Sequence, residues 1–87
     1  MEYCPSPNHN ERSPGTVIDM LVFHYTGMES SMEALKRLCN PQETVSAHYL
    51  VHKDGRIVQM VGEEHRAWHA GVASWRGYTD VNSRSIG

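Results

Sequence analysis

The chain has 87 residues, a net charge of −2 and 39% hydrophobic content, enough for one small domain with a limited core. Its basic residues are scattered, which excludes the electrostatic footprint of a nucleic-acid binder. No apolar run approaches the roughly 20 residues a membrane-spanning helix needs. Residues 1–16 are predicted to be an N-terminal arm and residues 17–87 the domain proper. Pro5, Pro7, Pro14 and Gly15 stand among Asn, Ser and Glu there, as in a loop lying over a surface rather than an element with its own core. The arm has neither a basic n-region nor an apolar h-region, so it does not read as a secretory signal, and a cytoplasmic location is expected. Cys4 and Cys39 match no zinc-ribbon spacing; a disulfide between them is open but unsupported by the sequence, and they read as two thiols, in keeping with a reducing compartment.

Val17 to Gly27 is the stretch around which the rest is organised. Its centre, Met20 to Phe23, is a continuous apolar run, as expected of a strand covered on both faces. His24 follows, at the carboxyl end, where open α/β sheets gather their ligands. Ser30 and Glu33 then have capping-box spacing, and Met32, Leu35 and Leu38 or Cys39 recur at helical spacing with Lys36 and Arg37 facing out. Asn40-Pro41 stops that helix. Ala47 to His52 and Ile57 to Val61 read as a hairpin around Asp54-Gly55, a tight turn needing positive φ. Glu63 to Arg66 reads as a solvated loop. Ala67 to Gly71 sets Trp68 and His69 among small residues that permit close approach. Val72 to Gly77 is a glycine-bounded loop, Tyr78 to Ser83 is polar, and Ser85-Ile86-Gly87 opens another strand. Ending there, the chain reads as a fragment of a longer domain.

Six histidines raise the question of a metal. His9 and His65 read as solvated bystanders. His48 and His52 share a strand face but sit too far apart to chelate one ion directly. His24 and His69, each ending an apolar segment, are the best pair. Catalytic zinc takes three protein ligands, and spacing offers no third. From the residues alone, the reading stops at an α/β domain with a histidine-bearing cleft.

Five ordered segments carry it further: Phe23-His24-Tyr25-Thr26-Gly27, Val45-Ser46-Ala47-His48-Tyr49-Leu50-Val51, Lys53 to Val61, Arg66-Ala67-Trp68-His69-Ala70-Gly71 and Asn82-Ser83-Arg84-Ser85-Ile86-Gly87. Over residues 17–87 the chain resembles the zinc-dependent N-acetylmuramoyl-L-alanine amidases, above all the muropeptide-degrading and recycling enzymes. Phage amidase lysozymes and peptidoglycan recognition proteins are more distant likenesses. The resemblance implies a mixed β-sheet flanked by helices and a Zn2+ in a groove. The substrate it implies is peptidoglycan or an anhydro-muropeptide, cleaved between N-acetylmuramic acid and L-alanine. It makes His24 the first metal ligand and puts Trp68, His69 and Asn82 on the substrate side. The family's remaining ligands and its acid/base glutamate correspond to positions beyond Gly87. The tyrosine of the lysozyme-like branch corresponds to Ala47. Little or no hydrolysis is therefore expected of these residues alone. A non-catalytic muropeptide-binding module and a degenerate fragment are the alternative readings.

Overall fold

The computed structural model describes residues 2–24, 31–70 and 80–87. Two-residue strands at Glu2–Tyr3 (β1) and Met20–Leu21 (β3) flank a longer one at His9–Glu11 (β2). Helix α1 spans Ser31–Leu38 and is followed by Tyr49–Val51 (β4), Ile57–Gln59 (β5) and His65–Ala67 (β6). One helical turn at Val81–Arg84 (α2) leads into Ser85–Ile86 (β7). β5 lies between β1, which is parallel to it, and β4, which is antiparallel. β2 and β6 pair antiparallel, while β3 and β7 pair parallel. Backbone bonds join these ladders: His48 N–H and Tyr49 N–H both donate to Gly87 C=O, at 2.8 and 3.2 Å, and Met60 N–H donates to His48 C=O at 2.8 Å. The described strands thus make three small sheets with both parallel and antiparallel pairing, in keeping with the mixed sheet that the resemblance implied.

The hairpin forms where it was predicted, with Leu50 opposite Val58. Its turn differs. His52 and Arg56 close a three-residue loop in which only Gly55 takes positive φ, at 92°. That is a turn followed by a left-handed glycine rather than a two-residue Asp-Gly turn. Asp54 instead caps the loop, accepting Arg56 N–H at 3.0 Å and Arg56 Nε–H at 2.9 Å.

The core gathers Ala34, Leu50, Val58, Met60, Val61 and Ala67, with Leu35, Leu38 and Cys39 packed against it. Within α1, Ala34 is therefore the buried contact, whereas Met32, expected on the packing face, is 62% exposed. The buried stripe of the helix thus runs through Ala34, Leu35 and Leu38, and Met32 falls outside it. The helix stops at Leu38 as the Asn40-Pro41 pair required. The Ser30–Glu33 capping box, Tyr25 to Gly27 and the loop of residues 72–77 lie outside the described residues.

Three further readings are corrected. The arm is not merely a loop: β1 extends the hairpin sheet and β2 pairs with β6. It is held by polar side chains. The two N–H groups of Asn8 Nδ2 are shared among the carbonyls of Asn40, Glu43 and Val45, each at 2.8 Å, and the Ser6 hydroxyl donates to Leu38 C=O. Second, the Glu63 to Arg66 passage is only half a loop, because His65 and Arg66 enter β6. Third, β3 is not covered on both faces: Leu21 is 65% and Phe23 87% exposed. Among the described residues only β7 pairs with β3, and the space beside it is open cleft rather than packed side chains.

Candidate active site

A cleft of about 660 Å³ separates β3 and β7 from α1 and the hairpin. Its wall is largely apolar, formed by Leu21, Val22, Phe23, Leu38, Leu50 and Ile86, and His24 and His69 both line it. Strand pairing delivers them. Val22 N–H donates to Ile86 C=O at 2.9 Å, carrying the chain to His24 alongside β7. β6 ends at Ala67, and Trp68 is fixed by Ser46, whose hydroxyl accepts Trp68 N–H at 2.9 Å. Asn82 then takes His69 N–H at 3.1 Å and Ala70 N–H at 2.9 Å on its side-chain oxygen.

His24 Nε2 lies 2.8 Å from His69 Nδ1, and His69 Nε2 lies 2.9 Å from Ser85 Oγ. Donor logic fixes the protons along this chain. The Ser85 hydroxyl donates to Val81 C=O at 2.6 Å, since a carbonyl can only accept. Ser85 Oγ must then accept from His69 Nε2–H, which leaves His69 Nδ1 bare when the ring is neutral. His24 consequently donates through Nε2–H. Its Nδ1 keeps a lone pair. Neutral His69 is what its surroundings demand: burial first, then the neighbouring His24, His48, Arg12 and Arg66, push its pKa down to about 4.

Gly87 closes the arrangement from behind. A Cβ there would lie 2.3 Å from His69 Cγ and 2.5 Å from Nδ1, well inside van der Waals contact. Only glycine lets the chain pass so close to the ring.

His48 is buried nearby and is fixed in the same way. Gly87 N–H donates to its Nδ1 at 3.2 Å, so its proton is on Nε2 and goes to His65 C=O at 2.8 Å. Burial lowers its pKa; the hydrogen bond to His65 opposes that shift, while the nearby Arg12 adds to it. Both ring nitrogens are occupied, so His48 is structural. Arg12 reaches in from the arm to bind Asn82 C=O at 3.1 Å, Ser83 C=O at 2.8 Å and Glu63 C=O at 2.9 Å.

The structure thus brings His24 and His69 together. Asn82 is 3% exposed and sits behind the cleft, holding the His69 backbone. Trp68 points elsewhere, its indole N–H donating to Asn10 Oδ1 at 3.1 Å. Sequence reasoning missed Ser85 and Arg12. For Ser85 there was a signal: a serine four residues after Val81 is placed to bond back to a carbonyl.

The family model for N-acetylmuramoyl-L-alanine amidase matches residues 14–87. The chain belongs to this family. It is 42% identical over 79 residues to N-acetylmuramoyl-L-alanine amidase AmiD of Escherichia coli, covering 80% of this chain and 27% of that protein. To 1,6-anhydro-N-acetylmuramyl-L-alanine amidase AmpD of Citrobacter freundii it is 56% identical over 43 residues, 49% of this chain and 23% of that one. The crystal structure of a selenomethionine AmpD derivative superposes with a TM-score of 0.72 at 30% identity, over 99% of this chain and 57% of the other. The matched stretches cover about a quarter of the length of each of these two curated relatives. Its fold is the amidase fold.

The family is generally zinc-dependent. Among the described residues, no group of three or more His, Cys, Asp or Glu side chains could hold a metal ion. His24 Nδ1 fits one coordination position, whereas the nitrogens of His48 and His69 are already engaged. One free donor does not make a catalytic zinc site, which takes three.

Proposed function

We propose that this chain forms the groove wall and one metal-ligand position, His24, of an N-acetylmuramoyl-L-alanine amidase. The bond attacked is the amide between N-acetylmuramic acid and L-alanine in peptidoglycan or an anhydro-muropeptide. The observation that carries the proposal is the chain from His24 through His69 and Ser85 to Val81 C=O, which orients one imidazole and keeps its Nδ1 lone pair beside the cleft. A metal-bound histidine commonly donates its other N–H to a neighbouring acceptor, which fixes tautomer and ring plane; His69 is that acceptor here. When bound in such a site, zinc polarises the scissile carbonyl and lowers the pKa of its water.

The residues present bind and orient. The apolar wall receives the uncharged part of the substrate, and His69, neutral at pH 7, presents no charge to repel a cation. Asn82 serves the substrate side through the His69 and Ala70 backbone it holds, whereas Trp68, its indole turned to Asn10, contributes only its backbone position beside Ser46. With a single free ligand among the described residues, the chain is expected to bind rather than to hydrolyse.

The test titrates the chain with an anhydro-muropeptide and zinc while recording NMR shifts and released peptide. Saturable shifts at Val22, His24 and Leu50 without turnover are expected. Enzymatic turnover by this chain would refute the single-ligand reading, and an absence of saturable shifts would refute the groove assignment.

A further inference from the structure

Cys4 follows β1, and Cys39 closes the last turn of α1. The sequence leaves their pairing unsupported, yet their sulfurs lie 3.6 Å apart across a separation of 35 residues. Both are free, partly buried and packed against the core. Their backbones are pinned independently: Cys4 N–H donates to Gln59 C=O at 2.9 Å and Cys39 N–H to Leu35 C=O at 3.1 Å. The ties on either side, Ser6 to Leu38 and Asn8 to Asn40, run in the same direction between arm and helix end. A disulfide has an S–S distance of about 2.05 Å. The sulfurs must therefore approach by about 1.5 Å, which small side-chain rotations supply without moving the pinned backbone.

We propose that Cys4 and Cys39 are a disulfide site that staples the N-terminal arm to the end of α1 when the protein meets a disulfide oxidant such as glutathione disulfide. In the first step one cysteine thiolate attacks the oxidant, forming a mixed disulfide and expelling one glutathione thiolate. The second cysteine then attacks the protein sulfur and expels the other. The Sγ–Sγ bond forms, the two cysteine protons pass through solvent to the two expelled glutathione thiolates, and the oxidant is thereby reduced by two electrons to two thiols. Burial, then the adjoining Cys4 thiol, push the pKa of Cys39 up to about 11. A thiol held protonated in this way is a poor direct target for peroxide. Exchange within a preassembled pair suits it better, because proximity compensates for the small thiolate fraction.

The test equilibrates the protein in glutathione redox buffers, folded and in urea, with intact mass and thiol counting as readouts. Expected is an intramolecular loss of two hydrogens, with an effective concentration of the pair about 30- to 1000-fold higher folded than denatured. The oxidised form should melt about 10–20 °C above the reduced form, and this redox difference should vanish in both Cys39→Ser and Cys4→Ala. Two titratable thiols persisting in the folded protein, a single glutathione adduct, an intermolecular dimer, or a disulfide that leaves the melting temperature unchanged would each overturn the proposal.

Discussion

The arm side and the β3 side of this small domain are held by opposite means. On the arm side the buried residues are largely polar: Ser6, Asn8, Ser46 and His48 are enclosed and hydrogen-bonded, and Arg12 spans three carbonyl groups. On the β3 side, large apolar residues stand open, Leu21 and Phe23 foremost, around the cleft that holds His24. Hydrogen bonds are directional and costly to leave unmade, so the arm side is fixed in one geometry. An open apolar wall fixes little. It accepts whatever surface matches it. The site lies at the seam, where His69, carried in behind the arm-paired strand β6, and Ser85, on β7 beside β3, together hold the His24 ring.

Truncation at each side is the strongest way to break this comparison. Asn8→Ala strips the donor shared by the Asn40, Glu43 and Val45 carbonyls and should cost about 2–4 kcal/mol, since all the bonds of one buried amide are lost together. Phe23→Ala should stay within about 0.5 kcal/mol, as for other exposed substitutions. Urea denaturation of both variants checks the contrast, and equal losses would erase it.

Gly87→Ala comes next. The added methyl must displace the His69 ring, for an expected loss of about 1–3 kcal/mol from overpacking. Fluorescence-monitored unfolding, with the histidine ring signals followed by NMR, should show reduced stability together with a shifted His69. An unperturbed ring would contradict the close approach.

A smaller effect belongs to Asp80, in left-handed geometry at φ 54° ahead of α2. Burial alone would raise its pKa, but hydrogen bonds from Ser13, Arg66 and Ser83 outweigh that and hold it at about 2. A carboxylate depressed on folding contributes stability that is present above its unfolded value and lost as pH falls through the folded one. The loss should therefore run from about pH 4 to pH 2 and amount to about 1 kcal/mol after solvent screening. Acid titration of stability should show this slope in the native sequence and a flatter one in Asp80→Asn; identical slopes would contradict it.

What was legible in the chain follows the same division. The hairpin could be read because Asp54-Gly55 sits between two apolar runs, and turn chemistry is local. The pairing of His24 with His69 could be read because both end apolar segments. The arm could not, because hydropathy is blind to Asn8: its burial is repaid by carbonyls more than thirty residues away. β3 was misread in the opposite sense, since an apolar run records what a strand could bury and not what lies against it. The bond of Ser85 back to Val81 was legible from local spacing, but its contact with His69 was set only by the fold.

The most direct test is the proton position on two rings. Long-range ¹H–¹⁵N correlation spectra of the metal-free protein at pH 7 should show His24 and His69 both protonated at Nε2, with Nδ1 bare. In Ser85→Ala, His69 should relax to a mixture of tautomers. A proton on Nδ1 of His24 in the native protein would mean that the ring is not prepared to receive a metal, and the assignment of the site would fail.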